Sequence, residues 1–208
     1  CLAWRLIDVD VAQKLVQSAL RLQASSGAIP VVAAPHATQS VLEAPKPLLA
    51  KCAEAVWCER RDPAFLDAIL LPLRRHLQWL LHHFDPKRRG MYRWKNRREM
   101  LAPDLFESDL ATVDLAVLLL TEIEALNRLR EASATHAGSP PWFAEQREIL
   151  RQNILEPFWN DGEGMFCNAF VRDTPVKVRG FPAFVPLLWD GLPNPQRSAI
   201  LERIRESG

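Results

Sequence analysis

Apolar residues recur at spacings of three and four along most of this chain, and the pattern predicts helices separated by proline-punctuated connections. Asp8 or Asp10 caps a helix carrying Val11, Leu15, Val16, Ala19, Leu20 and Leu22, which ends at Ser25-Ser26-Gly27. Before it, Cys1 to Ile7 reads as the last turns of another helix. Gly27 to Pro47 contains four prolines and cannot sustain a helix. Leu48 to Glu59 is helical again, with Pro47 suited to its first turn. Asp62 then caps, and Pro63 opens, a long helix through Phe65, Leu66, Ile69, Leu70, Leu73 and Leu77 to Phe84. Pro72 inside it predicts a kink or a local break. These two helices should form an antiparallel hairpin.

Further on, Glu107 or Ser108 is placed to cap a helix from Asp109 to Ala132. Leu115 to Leu120 is apolar nearly all round, which marks a helix buried on most sides. Pro141 to Glu156 gives another, with Phe143, Ile149, Leu150, Ile154 and Leu155 as its apolar stripe. The period then changes: Gly164 to Arg172 and Pro175 to Arg179, separated by Asp173-Thr174, read as a short β-hairpin. Pro182, Pro186 and Pro193 break up the next stretch, and Asn194-Pro195 starts a last helix with Ile200, Leu201 and Ile204 on one face.

One unit occurs twice. Phe84-Asp85-Pro86 leading to Gly90-Met91-Tyr92 resembles Phe158-Trp159-Asn160 leading to Gly164-Met165-Phe166, each where a long helix ends. Repeated helical hairpins with loops at one end predict a mainly α fold in which stacked pairs bury each other's apolar faces, as in an α/α toroid or an open array.

Composition narrows the function classes. A formal net charge of +1 gives no electrostatic case for nucleic acid or an acidic membrane, and no run of about 18 apolar residues marks a membrane span. Cys1, Cys52, Cys58 and Cys167 show no zinc-type spacing and read as free thiols, while His76, His82 and His83 form no ligand motif. Neither metal nor cofactor is implied. No secretory signal pattern opens the chain, although a segment upstream of Cys1 could carry one; the cytoplasm is the default.

Several short motifs, taken in order, carry a family resemblance: Gly27-Ala28-Ile29-Pro30, Pro47-Leu48-Leu49, Ala55-Val56-Trp57, Asp62-Pro63-Ala64-Phe65-Leu66, Leu77-Gln78-Trp79, Gly90-Met91-Tyr92-Arg93-Trp94, Val113-Asp114-Leu115, and Gly180-Phe181-Pro182-Ala183-Phe184-Val185-Pro186-Leu187. The sequence resembles the (α/α)6-barrel glycoside hydrolases of family 63, the trehalases, and the mannosylglycerate and glucosylglycerate hydrolases. The resemblance covers nearly the whole chain. It implies a single partial domain over residues 1–208, the middle of a barrel whose remaining helices come from a longer chain. It also implies an inverting α-glycosidase acting on glucosides or mannosides. In that family the general acid is an Asp in a Glu-Ser-Gly-x-Asp-like motif after the Gly-aromatic turn. Here the corresponding stretch reads Arg98-Glu99-Met100-Leu101-Ala102-Pro103-Asp104, with the Ser-Gly element gone. The second carboxylate would lie beyond Gly208, so residues 1–208 are not expected to be active alone.

Inverting hydrolysis needs a protonated carboxylic acid at the glycosidic oxygen and a carboxylate base across the sugar. Asp104 is the first candidate acid, because Leu101, Leu105 and Phe106 beside it would raise its pKa; its alternative role is a helix cap. Glu99 is the second candidate, or else a partner for Arg97 or Arg98. Glu107 and Asp109 suit a helix N-terminus better than catalysis. Asp114, in the apolar helix, is a structural acceptor or a sugar ligand. Trp94, Tyr92 and Arg93 would supply a stacking wall and a donor for a carbohydrate, with core packing the competing role. His36 and Gln39 on the proline-rich segment could line the mouth. Lys87-Arg88-Arg89 and Lys95 to Arg98 read as a solvated rim. Two non-enzymatic classes also fit: a sugar-binding toroid without catalysis, and a helical-repeat interaction scaffold.

Overall fold

The computed structural model describes residues 8–31, 43–87, 89–102, 104, 109–136 and 138–206. Its elements in order are α1 (Val9–Arg21), α2 (Leu49–Arg60), α3 (Pro63–Phe84), β1 (Leu110–Ala111), α4 (Val113–Ala132), α5 (Ala144–Leu155), β2 (Asn168–Val171), β3 (Thr174–Lys177), a 3-10 helix (Phe181–Leu188) and α6 (Asn194–Glu206). The mainly α class and the β-hairpin are as the sequence predicts. The helical turns expected for Cys1 to Ile7 lie outside the described residues, as do His36, Gln39, Glu107 and Ser108.

Helix starts follow their capping chemistry. The Asp8 carboxylate accepts the Asp10 and Val11 amides at 2.8 and 3.2 Å, and Asp62 accepts the Ala64 amide at 3.0 Å ahead of Pro63. No break occurs at Pro72: α3 is continuous. Pro72 gives no N–H to the helix ladder. The turns on either side are held by buried Phe65, Leu66, Ile69, Leu70, Leu73 and Leu77, and Gln23, just beyond α1, donates to the Pro72 carbonyl at 2.8 Å. Gly27 sits in the turn after α1 with φ +99°, and a Cβ there would collide with the Arg75 carbonyl oxygen. The close approach of α1's end to α3 therefore requires glycine.

Packing converges on α4. Sixteen of its 20 residues are buried, where a one-sided amphipathic helix would bury about half, because it packs against α2, α3, α5 and the 3-10 helix. Each fully buried Leu along Leu115 to Leu120 contributes about 2 kcal/mol of apolar transfer. α4 also supplies what α2 lacks. Leu48 offers α2 no side-chain cap, and Glu122, 1% exposed, reaches across to accept the Ala50 and Lys51 amides at 2.8 and 2.9 Å. Burial pushes the Glu122 carboxyl up to about 7, although these amide bonds favour its ionised form.

Two boundaries differ from the sequence expectation. The helix predicted from Asp109 begins only at Val113, because Leu110 and Ala111 are extended and pair with Val171 and Phe170. The hairpin is consequently part of a three-stranded antiparallel sheet ordered β1-β2-β3. The helix predicted from Pro141 begins at Ala144. Asn127 of α4 accepts the Trp142 amide and donates to the Trp142 carbonyl, at 2.8 and 2.9 Å, which holds that backbone away from the helix.

The repeated unit is repeated in structure. Gly90 and Gly164 have φ of +80° and +60°. In each copy the chain folds back on the preceding aromatic residue: the Arg93 amide donates to the Phe84 carbonyl at 3.0 Å, and the Asn168 amide to the Phe158 carbonyl at 3.3 Å. Phe84, Tyr92, Phe158 and Phe166 are all buried. Among the described residues no helix is long and apolar enough to cross a membrane. Cys52 and Cys167 are buried and Cys58 is exposed.

Candidate functional site

The segment between α3 and α4 carries most of the candidate chemistry. It opens with Asp85, whose buried carboxylate accepts the Gly90 amide at 2.6 Å and shapes the turn. Asn153 of α5 donates to the Gly90 carbonyl at 2.6 Å, and a Cβ on Gly90 would meet Ile149 at 2.6 Å, so this turn is seated against α5. The chain then runs beside β1, with the Trp94 amide donating to the Leu110 carbonyl at 2.9 Å.

Trp94 is fully enclosed. Its ring meets Phe84 edge-on at 5.5 Å, and its Nε1 donates to the Thr112 hydroxyl at 3.0 Å and to Asp114 Oδ1 at 3.4 Å. The expected stacking wall is thus corrected: the ring has no face free for a sugar because it fills the core between α3 and α4. Tyr92 is likewise 6% exposed, and burial, then the charges of Asp85 and Glu145, push its phenol far up. Asp114 is fully buried and accepts a short hydrogen bond from Thr112; burial raises its carboxyl, and its Oδ2 has no protein partner. In this geometry it is a structural acceptor, and its side chain is shut off from any ligand.

Glu99 is 1% exposed and serves as a hub. Its Oε1 accepts the Ala44 amide at 2.8 Å and lies 2.9 Å from His83 Nε2, while its Oε2 accepts the Lys95 and Asn96 amides at 3.0 and 3.3 Å. Burial pushes this carboxyl up, but His83 and the amides outweigh it and hold the group below its ordinary value. Such a carboxylate stays ionised near neutral pH and holds no proton to deliver. Asp104 differs from expectation too. Its side chain is 91% exposed and pairs with Arg97 at 2.7 Å, so among the described residues no apolar enclosure surrounds it; Leu105 and Phe106 lie outside them.

Arg93 faces a groove of about 340 Å³ between the α3 turn, the Trp94 segment and the tip of the β2–β3 hairpin. Its guanidinium donates to the Asp109 and Phe170 carbonyls at 3.0 and 3.3 Å and pairs closely with Asp173. Lys87, Arg89, Lys95 and Arg172 line the same groove, as do Asp85 and Asp109. The sequence marked Lys87, Arg89 and Lys95 as part of a rim and Arg93 as a sugar donor, and did not single out Arg172. It gave no sign of Asp173, which the hairpin brings 80 positions along the chain to Arg93. His83 and Glu122 were also missed as partners; a buried acid in a leucine-rich helix is the one signal that pointed to the latter. Among the described residues no three His, Cys, Asp or Glu side chains group as a metal ion would require.

The first 100 residues match the family of the mannosylglycerate hydrolase MGH1-like glycoside hydrolase domain. Across 97% of this chain the fold superimposes on a family 63 mannosylglycerate hydrolase from Thermus thermophilus in complex with glucose, with a TM-score of 0.76 at 15% identity. The fold is that of a family 63-like (α/α)6 barrel. The family 63 enzyme from the same organism in complex with Tris and D-glycerate gives a TM-score of 0.76 at 14% identity, over 97% of this chain and 67% of that one. An uncharacterised conserved protein from that organism gives 0.75 at 15%, over 97% and 65%. The chain spans 65% of the length of the glucose-bound hydrolase, and so corresponds to part of such a barrel. No curated protein matches the sequence.

In this barrel fold α4 is the enclosed helix, and the α3–α4 segment and the β2–β3 hairpin converge where Leu110 and Ala111 pair with Val171 and Phe170. Arg93, Asp109 and Asp173 meet beside that pairing. Glu99 and Asp104 share the α3–α4 segment but differ in setting, one locked in the interior and one in solvent.

Proposed function

We propose that this chain forms the central part of a carbohydrate-active hydrolase of the inverting α-glycosidase type, acting on glucosides or mannosides. The observation that carries this reading is the match of residues 1–100 to a glycoside hydrolase domain, supported by the barrel likeness over nearly the whole chain. The remaining helices and the second catalytic carboxylate are supplied by residues outside 1–208.

Asp104 is the proposed acid. It is the one carboxylate of the Glu99–Asp104 pair with a solvent-exposed side chain, held there by Arg97. Protonated, it delivers its proton to the glycosidic oxygen as the bond to the anomeric carbon breaks. The base on the opposite face takes a proton from the attacking water, which inverts the configuration. Glu99 is assigned to holding the loop through Ala44, Lys95, Asn96 and His83. Arg93 is the proposed donor to the sugar, with His36 and Gln39 at the mouth; Tyr92, Trp94 and Asp114 support the segment from below.

Turnover of aryl α-glucosides, aryl α-mannosides and mannosylglycerate by the full-length protein tests this. Asp104→Asn should lower kcat at least about 100-fold, the usual worth of a general acid. Turnover retained in both Asp104→Asn and Glu99→Gln removes the acid assignment. A second reading, sugar binding without catalysis, is favoured by the exposure of Asp104 and its ion pair with Arg97. It predicts saturable sugar binding with no product from any of these glycosides.

A further inference from the structure

We propose that the groove beside Arg93 binds the phosphate group of a phosphorylated sugar. Among the described residues five cationic side chains line it: Lys87, Arg89, Arg93, Lys95 and Arg172. They face three carboxylates, and each of these is already engaged. Asp85 is turned inward on the Gly90 amide, Asp109 lies 3.6 Å from Lys95, and Asp173 is shared by Arg89 and Arg93. Five against three leaves two positive charges over, and among the described residues Lys87 and Arg172 are the two lining cations outside these ion pairs.

That excess selects among anions. A phosphate monoester carries close to two negative charges at neutral pH and three acceptor oxygens, matching two unneutralised cations, whereas a monocarboxylate would neutralise only one. Guanidinium groups are the donors best shaped for phosphate, and two of the exposed cations here, Arg89 and Arg172, are arginines on separate segments. The volume of about 340 Å³ exceeds what a phosphate alone requires and lies in the range of small-molecule sites. Pro86 and Met91 add apolar wall for the body of a sugar.

The backbone supports the same assignment. Arg172 and Asp173 form the two-residue turn between β2 and β3, both with positive φ, +48° and +72°. Such a turn favours Asn-Gly. Two charged side chains held in that conformation, both lining the groove, represent local strain kept at a ligand site. The sugar half of this ligand rests on the carbohydrate reading above; the phosphate half rests on the groove alone.

Calorimetric titration of the full-length protein with glucose 6-phosphate, inorganic phosphate, D-glycerate and glucose tests it. Glucose 6-phosphate should bind at least about tenfold tighter than glucose or glycerate, and the advantage should shrink with added salt. Lys87→Gln combined with Arg172→Gln should abolish that tenfold advantage without changing the melting temperature, since both side chains are exposed. Equal affinity for glycerate and glucose 6-phosphate, or an undiminished advantage in the double variant, overturns the proposal. Aryl glycoside turnover is followed in parallel. Turnover without phosphate binding defeats this proposal alone, and phosphate binding without turnover defeats the hydrolase reading alone.

Discussion

His83 Nε2 and Glu99 Oε1 stand 2.9 Å apart, joining the last turn of α3 to the middle of the α3–α4 segment through a carboxylate that also holds the Ala44 amide. Three pieces of chain distant in sequence meet on one side chain. Glu99→Ala should therefore cost about 3 kcal/mol in urea unfolding, because it strands the buried Ala44 amide and part-buried donors from the other two. Glu99→Gln, which keeps one acceptor, should cost less. The Glu99 carboxyl is held below its ordinary value of 4.5, so its ionised form stabilises the fold above that pH and the benefit fades as pH falls below it. The stability gap between wild type and Glu99→Gln should narrow on acidification; a gap constant down to acid unfolding would contradict the hub.

Glu122 responds to pH in the opposite sense. Its carboxyl is raised from 4.5 to about 7, so the folded state favours the neutral acid. The resulting stabilisation is complete below 4.5 and is lost as pH rises towards about 7. Over that window wild type should lose on the order of 3 kcal/mol relative to Glu122→Gln, read as a shift in denaturation midpoint. A pH-independent difference would show that the Ala50 and Lys51 amides offset burial in full.

How far the sequence foretold these two residues follows from the range of their partners. Asp8 and Asp62 cap amides two or three positions away, and both were legible from spacing alone. Glu122 caps a helix 71 and 72 positions back, and nothing near Leu48 announces it. The same contrast runs through the candidate site. The helices, the Gly-aromatic turns and the hairpin could be read because each depends on local pattern. The burial of Trp94 and the exposure of Asp104 could not, since an aromatic residue and an acid in a charged segment fit a core, a wall or a rim equally well until α4 and β1 are in place.

Gly90→Ala should destabilise the protein by about 2 kcal/mol. It combines a positive φ unfavourable to a side chain with a Cβ only 2.6 Å from Ile149 Cγ2. The two costs can be separated: adding Ile149→Ala should relieve the collision and leave the backbone cost. If Gly90→Ala with Ile149→Ala gains nothing beyond the sum of the single changes, α5 does not press on the turn.

Asp173→Gly should stabilise the hairpin by about 0.5–1 kcal/mol. Its carboxylate is 66% exposed, so its ion pairs with Arg89 and Arg93 are worth little, whereas glycine accepts φ +72° without strain. Thermal unfolding reads the outcome, and a lowered midpoint would mean that the Arg93 contact outweighs the strain.

The pairing of Leu110 with Val171 spans 61 positions of chain, with α4 and α5 both inside the enclosed loop. Closing so long a loop is entropically unfavourable until those two helices have docked. β1 should therefore join the sheet late in folding, well after the local β2–β3 hairpin has formed. The groove, which needs Arg93 and the hairpin tip side by side, would then be among the last features to assemble and among the first to open.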